Sequence, residues 1–219
     1  MLLLIALPPA LSAYRDGPPA NMTGALGDTS CHQCHLDNPL NAPGGALSVA
    51  GVPPVYTAGR TYRMTVRLER DGMRSGGFQV AARFASGARS GRQAGAWRIL
   101  DQRVQLVRSD GDRDLVFAEH TALGSTLSTP GANVWILEWT APEGATAPVG
   151  FSVAGNAADD DASPLGDYIY LENVRAVPPQ VSDLAGAVHT SRRGVFPRRR
   201  AVRRAACFRP EFVEATKCS

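Results

Sequence analysis

Residues 31–35 read Cys-His-Gln-Cys-His. Two thiols at i and i+3, followed at once by an imidazole, form the attachment signature of c-type haem. In that chemistry Cys31 and Cys34 make thioethers to the macrocycle and His35 is the proximal iron ligand. The same side chains have three other readings. In an oxidising compartment Cys31 and Cys34 pair as a disulfide. With His32 or His120 as a fourth donor, Cys31, Cys34 and His35 form a zinc set, although no second C-x-x-C or H-x-x-x-H accompanies them. The fourth reading is an inert loop. Haem leads on spacing and compartment. The other cysteines, Cys207 and Cys218, lie near the far end of the chain.

Compartment follows from the first residues. Met1–Leu11 is a short apolar run, and Leu11-Ser12-Ala13 ends it with small residues. That pattern predicts a signal peptide over 1–13, although no Lys or Arg precedes the run. The run is too short to span a bilayer. The chain is therefore expected to be extracytoplasmic, which is where bacterial haem attachment takes place.

A second constellation is acidic. Asp159, Asp161 and Asp167 stand in "NAADDDASPLGD", between two predicted strands. Carboxylates on a loop suit calcium, but the spacing is not that of an EF-hand. Turn chemistry is the plainer expectation for them. Trp97, Trp135 and Trp139 could stack on sugars, but Trp135 and Trp139 face one way on a strand and are expected in the core. No nucleophile–base set, P-loop or dinucleotide fingerprint is present. The chain therefore reads as an electron carrier or binding protein sooner than as an enzyme, and the enzyme question stays open.

The elements that must position these groups are strands. The chain has 219 residues, 44% of them hydrophobic, enough for one core. Residues 14–61 are rich in Gly and Pro and read as a loop segment that carries the Cys/His cluster. From Tyr62 the pattern alternates. Tyr62, Met64, Val66 and Leu68 share one face, as do Phe78, Val80, Ala82 and Phe84. Further runs are "AWRILDQRVQLV" with a bend at Asp101, "DLVFAEHT", "NVWILEWTAP", "VGFSVAGNA" and "DYIYLENVRAV". No amphipathic helix of three turns interrupts them. This predicts an all-β, immunoglobulin-like antiparallel sandwich of about seven to nine strands over 62–177.

The net charge of +3 is unevenly spread. Residues 1–177 are mildly acidic, while 178–219 are basic, with eight Arg in 192–209. A nucleic-acid binder would place such charge on a folded face, so no nucleic acid is expected. Residues 178–219 read as a disordered basic tail, or as the product of a frame shift near residue 180.

The ordered set "GPPANMTGALGDTSCHQCH", "YTAGRTYRMTVRL", "SGGFQVAARF", "AEHT", "WTAP" and "FSVAGNAADDDASPLGDYIY" resembles the bacterial choice-of-anchor V domain family, a relative of the reelin N-terminal (reeler) domain. The resemblance covers about residues 17–177. It implies an exported immunoglobulin-like sandwich and a cysteine pair followed by His, matching Cys31, Cys34 and His35. It also implies cell-surface or membrane association through a C-terminal anchor, which 178–219 does not supply. His120, in the family-like "AEHT" near a strand end, is the first choice for a distal iron ligand, set against a purely structural hydrogen bond within a loop; Met22, Met64, Met73 and His32 are alternative ligands. Such a protein would exchange electrons with a redox partner protein or sense redox state. A haem-free adhesion or ligand-binding module is the alternative.

Overall fold

The computed structural model describes residues 14–110, 114–144 and 147–180. The expected signal peptide, His189, Cys207, Cys218 and the basic tail beyond Gln180 lie outside the described residues. Those described belong to one compact unit. Among the described residues nine strands run in order: β1 (Gly45–Ala50), β2 (Thr61–Arg70), β3 (Ser75–Phe84), β4 (Ala96–Ile99), β5 (Val104–Arg108), β6 (Val116–His120), β7 (Ala132–Thr140), β8 (Val149–Ala158) and β9 (Tyr168–Ala176). They form two antiparallel sheets, ordered β1-β2-β7-β4 and β5-β6-β3-β8-β9. The all-β sandwich is therefore present. Among the described residues no helix is long and apolar enough to cross a membrane.

The core lies between the sheets, and alternation puts it there. On β2, Met64, Val66 and Leu68 are buried; on β7, Trp135, Leu137 and Trp139 are. From the other sheet come Phe78, Val80, Phe84, Phe151 and Val153. Trp139 meets Phe151 edge-on at 4.8 Å, and Phe78 tilts against Trp135 at 4.6 Å. Burying an indole also buries its N–H, which must find an acceptor. Each does: Trp135 donates to Gly124 O at 2.9 Å, Trp139 to Ala94 O at 2.8 Å and Trp97 to Val116 O at 3.1 Å. All three tryptophans are thus core residues, not a sugar platform.

The fold departs from the sequence pattern in three places. Residues 14–61 are not all loop: "GALSVA" forms β1, whose Leu47 is buried while its neighbours face outward. The sandwich therefore starts before Tyr62. The run with a bend at Asp101 is two strands in different sheets, β4 beside β7 and β5 beside β6. The turn between them carries the chain across the sandwich.

The third departure matters most. Alternation gives β3 a polar second face, Gln79 and Arg83, yet both are buried. The segment before β1 lies over them. Gln79 Nε2 donates to Pro19 O at 2.9 Å, and Met22 N donates to Gln79 Oε1 at 2.7 Å. Arg83 pairs with Asp28 and donates to Ala25 O at 3.0 Å. Asn41 N donates to Ile169 O at 2.9 Å. These bonds lash the Cys/His segment across the outside of the five-stranded sheet. A small second core of Ala81, Leu115 and Phe117 packs beneath Ala20.

Candidate functional site

Cys31–Gln33 form one 3-10 turn, held by Cys34 N and His35 N donating to Cys31 O at 3.2 and 3.1 Å. Residues at i, i+3 and i+4 of such a turn share a side. Cys31, Cys34 and His35 accordingly line one cleft, whereas His32 and Gln33 do not. The opposite walls come from Tyr14–Met22, the start of β3, the end of β6, the end of β8 and the β8–β9 loop. The cleft has a volume of about 180 Å³ and opens to solvent at its mouth. Ligand sites are on the order of 300–1,000 Å³, so the enclosed space is smaller than a full ligand pocket.

The start of β3, Ser75-Gly76-Gly77, forms part of the cleft wall. A Cβ on Gly77 would lie 2.6 Å from His120 Cε1, so only glycine leaves room for that ring. Gly77 pairs across the ladder with Asn156 on β8. His120 rests against Gly77, and His35 Nε2 lies 3.5 Å from Asn156 Nδ2. The two histidines thus stand over neighbouring positions of one β3–β8 ladder, on the walls of one cleft.

His120 is the last residue of β6, as a strand-end position predicts, and is 7% exposed. Burial lowers its pKa, so the ring is neutral. Nδ1 accepts from Phe78 N at 3.1 Å while Nε2 lies 3.3 Å from Tyr14 O. Nδ1 is also 3.2 Å from Phe78 O, so the other tautomer, which frees Nε2, has a carbonyl to donate to. Of the methionines weighed as ligands, Met22 lines the cleft, with Sδ accepting from Thr29 Oγ1 at 3.1 Å. Met64 and Met73 are in the sandwich core.

Cys31 and Cys34 are free thiols. Burial pushes the Cys31 thiol up to about 12, with smaller upward contributions from Cys34 and Glu119; a weak bond to Met22 O at 3.9 Å accompanies it.

The acidic residues divide. Asp167 is 1% exposed, with Oδ2 2.8 Å from His35 Nδ1 and 3.0 Å from Asn156 Nδ2. The Asp159 and Asp161 carboxylates instead accept from the loop's own backbone, Asp161 N at 3.2 Å and Ser163 N at 2.7 Å. That is Asx-turn chemistry. Among the described residues no group of three or more His, Cys, Asp or Glu side chains comes together around a metal-sized space.

Sequence reasoning passes over one further group. Glu119 is 3% exposed and accepts from Gln79 Nε2 at 2.8 Å and Gln105 Nε2 at 3.2 Å. Burial pushes its carboxyl up to about 7, opposed by those two bonds and helped by the Asp16 charge. Gly17, at φ +95°, lies so close that any Cβ would strike Glu119 Oε1. Polar Gln79 in an otherwise apolar strand is the signal that its outer face is covered.

No family model matches the chain, and no curated protein matches it. Among solved structures, the human F-spondin reeler domain is similar at 18% identity and a TM-score of 0.38, covering 63% of this chain and 92% of its own. A Reelin-N domain of F-spondin is similar at 18% identity and a TM-score of 0.40, covering 68% and 97%. AvmM, which catalyses macrocyclisation in alchivemycin A biosynthesis, is similar at 15% identity and a TM-score of 0.41, covering 64% and 92%. Each is a partial likeness of fold.

Proposed function

We propose that the chain is an extracytoplasmic c-type haem protein that carries its haem in the cleft beside the Cys31–His35 turn. One observation carries this reading: Cys31, Cys34 and His35 all face the same cleft, which is open to solvent at its mouth. One more feature suits the group. Pro18, Pro19, Met22 and Phe78 give the walls apolar surface.

Cys31 and Cys34 would hold the haem covalently and His35 would ligate its iron. When bound, the haem supplies one-electron chemistry at a potential set by its axial ligands and burial. The remaining tasks fall to the chain. The segment 14–44, fixed over the five-stranded sheet, keeps the turn in place and restricts water. His120 is the proposed distal ligand, through the tautomer that donates Nδ1–H to Phe78 O.

The test is expression with a haem maturation system, followed by absorbance and intact mass. The expected result is a Soret band and one covalent haem per chain. Replacing Cys31 and Cys34 together by alanine should abolish the mass increase.

A further inference from the structure

We propose that the thiols of Cys31 and Cys34 form a two-coordinate site for a soft monovalent cation, Cu(I), in the chain that carries no haem. This site is independent of the haem reading: the same two sulfurs serve either group, one at a time.

The turn brings the sulfurs together. Cys31–Gln33 is a 3-10 turn and Cys34 ends it, with Cys34 N donating to Cys31 O at 3.2 Å. Side chains three apart on such a turn eclipse. The two thiols therefore stand one above the other, and both face the cleft. Both are free. Cys34 is near enough that its charge opposes ionisation of Cys31. The turn is pinned on either side, by Met22 N donating to Gln79 Oε1 at 2.7 Å and by Gly166 N donating to Asp37 Oδ2 at 3.0 Å. Little ordering is left for a ligand to impose. The cleft encloses about 180 Å³, room for one ion.

The donors select the ion. Thiolate and thioether sulfur favour Cu(I) over harder cations. The neighbouring wall adds more sulfur, since Met22 lines the same cleft. Zinc in a structural site takes four donors. Among the described residues no third His, Cys, Asp or Glu side chain joins the pair in a metal-binding group. Calcium needs oxygen, and the Asp159 and Asp161 carboxylates are already bonded to backbone of their own loop. A filled-shell monovalent cation is satisfied by two sulfurs alone.

Burial keeps Cys31 as its neutral thiol, so a cation must displace a proton to bind. One that binds sulfur strongly does so; one that prefers oxygen does not. Each thiol gives its proton to solvent, two protons for each ion bound. The ion enters as Cu(I) and stays Cu(I), so no electron is transferred.

The test uses the full haem-free chain, reduced and kept from oxygen, with Cu(I) supplied as its bicinchoninate complex. Cys207 and Cys218 are first replaced by alanine, which leaves Cys31 and Cys34 as the only thiols. This chain should withdraw one Cu(I), and X-ray absorption should show a copper first shell of sulfur alone. Excess Zn(II) should leave the copper in place. Adding Cys31→Ala and Cys34→Ala should abolish uptake. No uptake by the two-thiol chain, or a first shell containing nitrogen or oxygen, overturns the site, and neither result depends on the folding of a chain without thiols. Uptake that survives the loss of Cys31 and Cys34 overturns it as well. Displacement of the copper by zinc overturns the choice of metal.

Discussion

Cys31 has the most distinctive chemistry of any single residue. Its thiol is pushed up to about 12 by burial, so at pH 8 almost none is thiolate. In the folded haem-free chain Cys31 should therefore react with iodoacetamide far more slowly than in denaturant, as peptide mass mapping would show; equal rates would contradict the burial. Glu119 gives a pH prediction. Its folded carboxyl titrates at about 7 against an ordinary 4.5. Between those values the unfolded chain releases a proton that the folded chain keeps, so this residue's contribution falls as pH rises through that window. His120 acts oppositely: its lowered pKa costs stability as pH falls below its ordinary value of 6.5. Subtracting Glu119→Gln from wild type isolates the first effect. Urea midpoints should show wild type losing stability relative to the variant between pH 5 and pH 8, and parallel profiles would contradict it. The thiols and His35 are legible in sequence because the motif is contiguous. Asp167 is not: in sequence it stands with the loop carboxylates Asp159 and Asp161, and only the fold of β8 and β9 brings it to His35.

Among the elements, the segment before β1 decides whether a site exists. Alternation reads β2 and β7 correctly because each has one buried face. It misjudges β3, since that strand's second face is covered by chain with no periodicity of its own. The clue available is chemical: Gln79 and Arg83 are polar groups whose partners must come from somewhere. The Arg83–Asp28 pair is almost wholly buried, at 1% and 2% side-chain exposure. Removing one member of such a pair strands the other charge, at about 3–5 kcal/mol. Asp28→Ala should lower stability by that order in urea unfolding. It should also loosen the Cys31–His35 turn, so that Cys31 alkylation in the folded protein accelerates. A destabilised variant with Cys31 still protected would mean that the other bonds of the segment suffice to hold the turn.

For the whole molecule, the all-β sandwich is readable from strand spacing, but the sheet assignment is not. Turn signals locate the bend at Asp101, yet nothing local says that β4 and β5 belong to different sheets; that depends on β7 and β6 as partners. The same long-range pairing places Gly77 opposite Asn156 and so gathers His35, His120 and Asp167 at one cleft. The account stands on haem attachment there, and one measurement decides it. Wild type and the Cys31→Ala/Cys34→Ala double variant are each expressed with a haem maturation system, and spectrum and intact mass are recorded. The account predicts a Soret band and the added mass of one haem in wild type, with no added mass in the variant. A wild type with neither signal, or one whose Soret band comes without added mass, would contradict it.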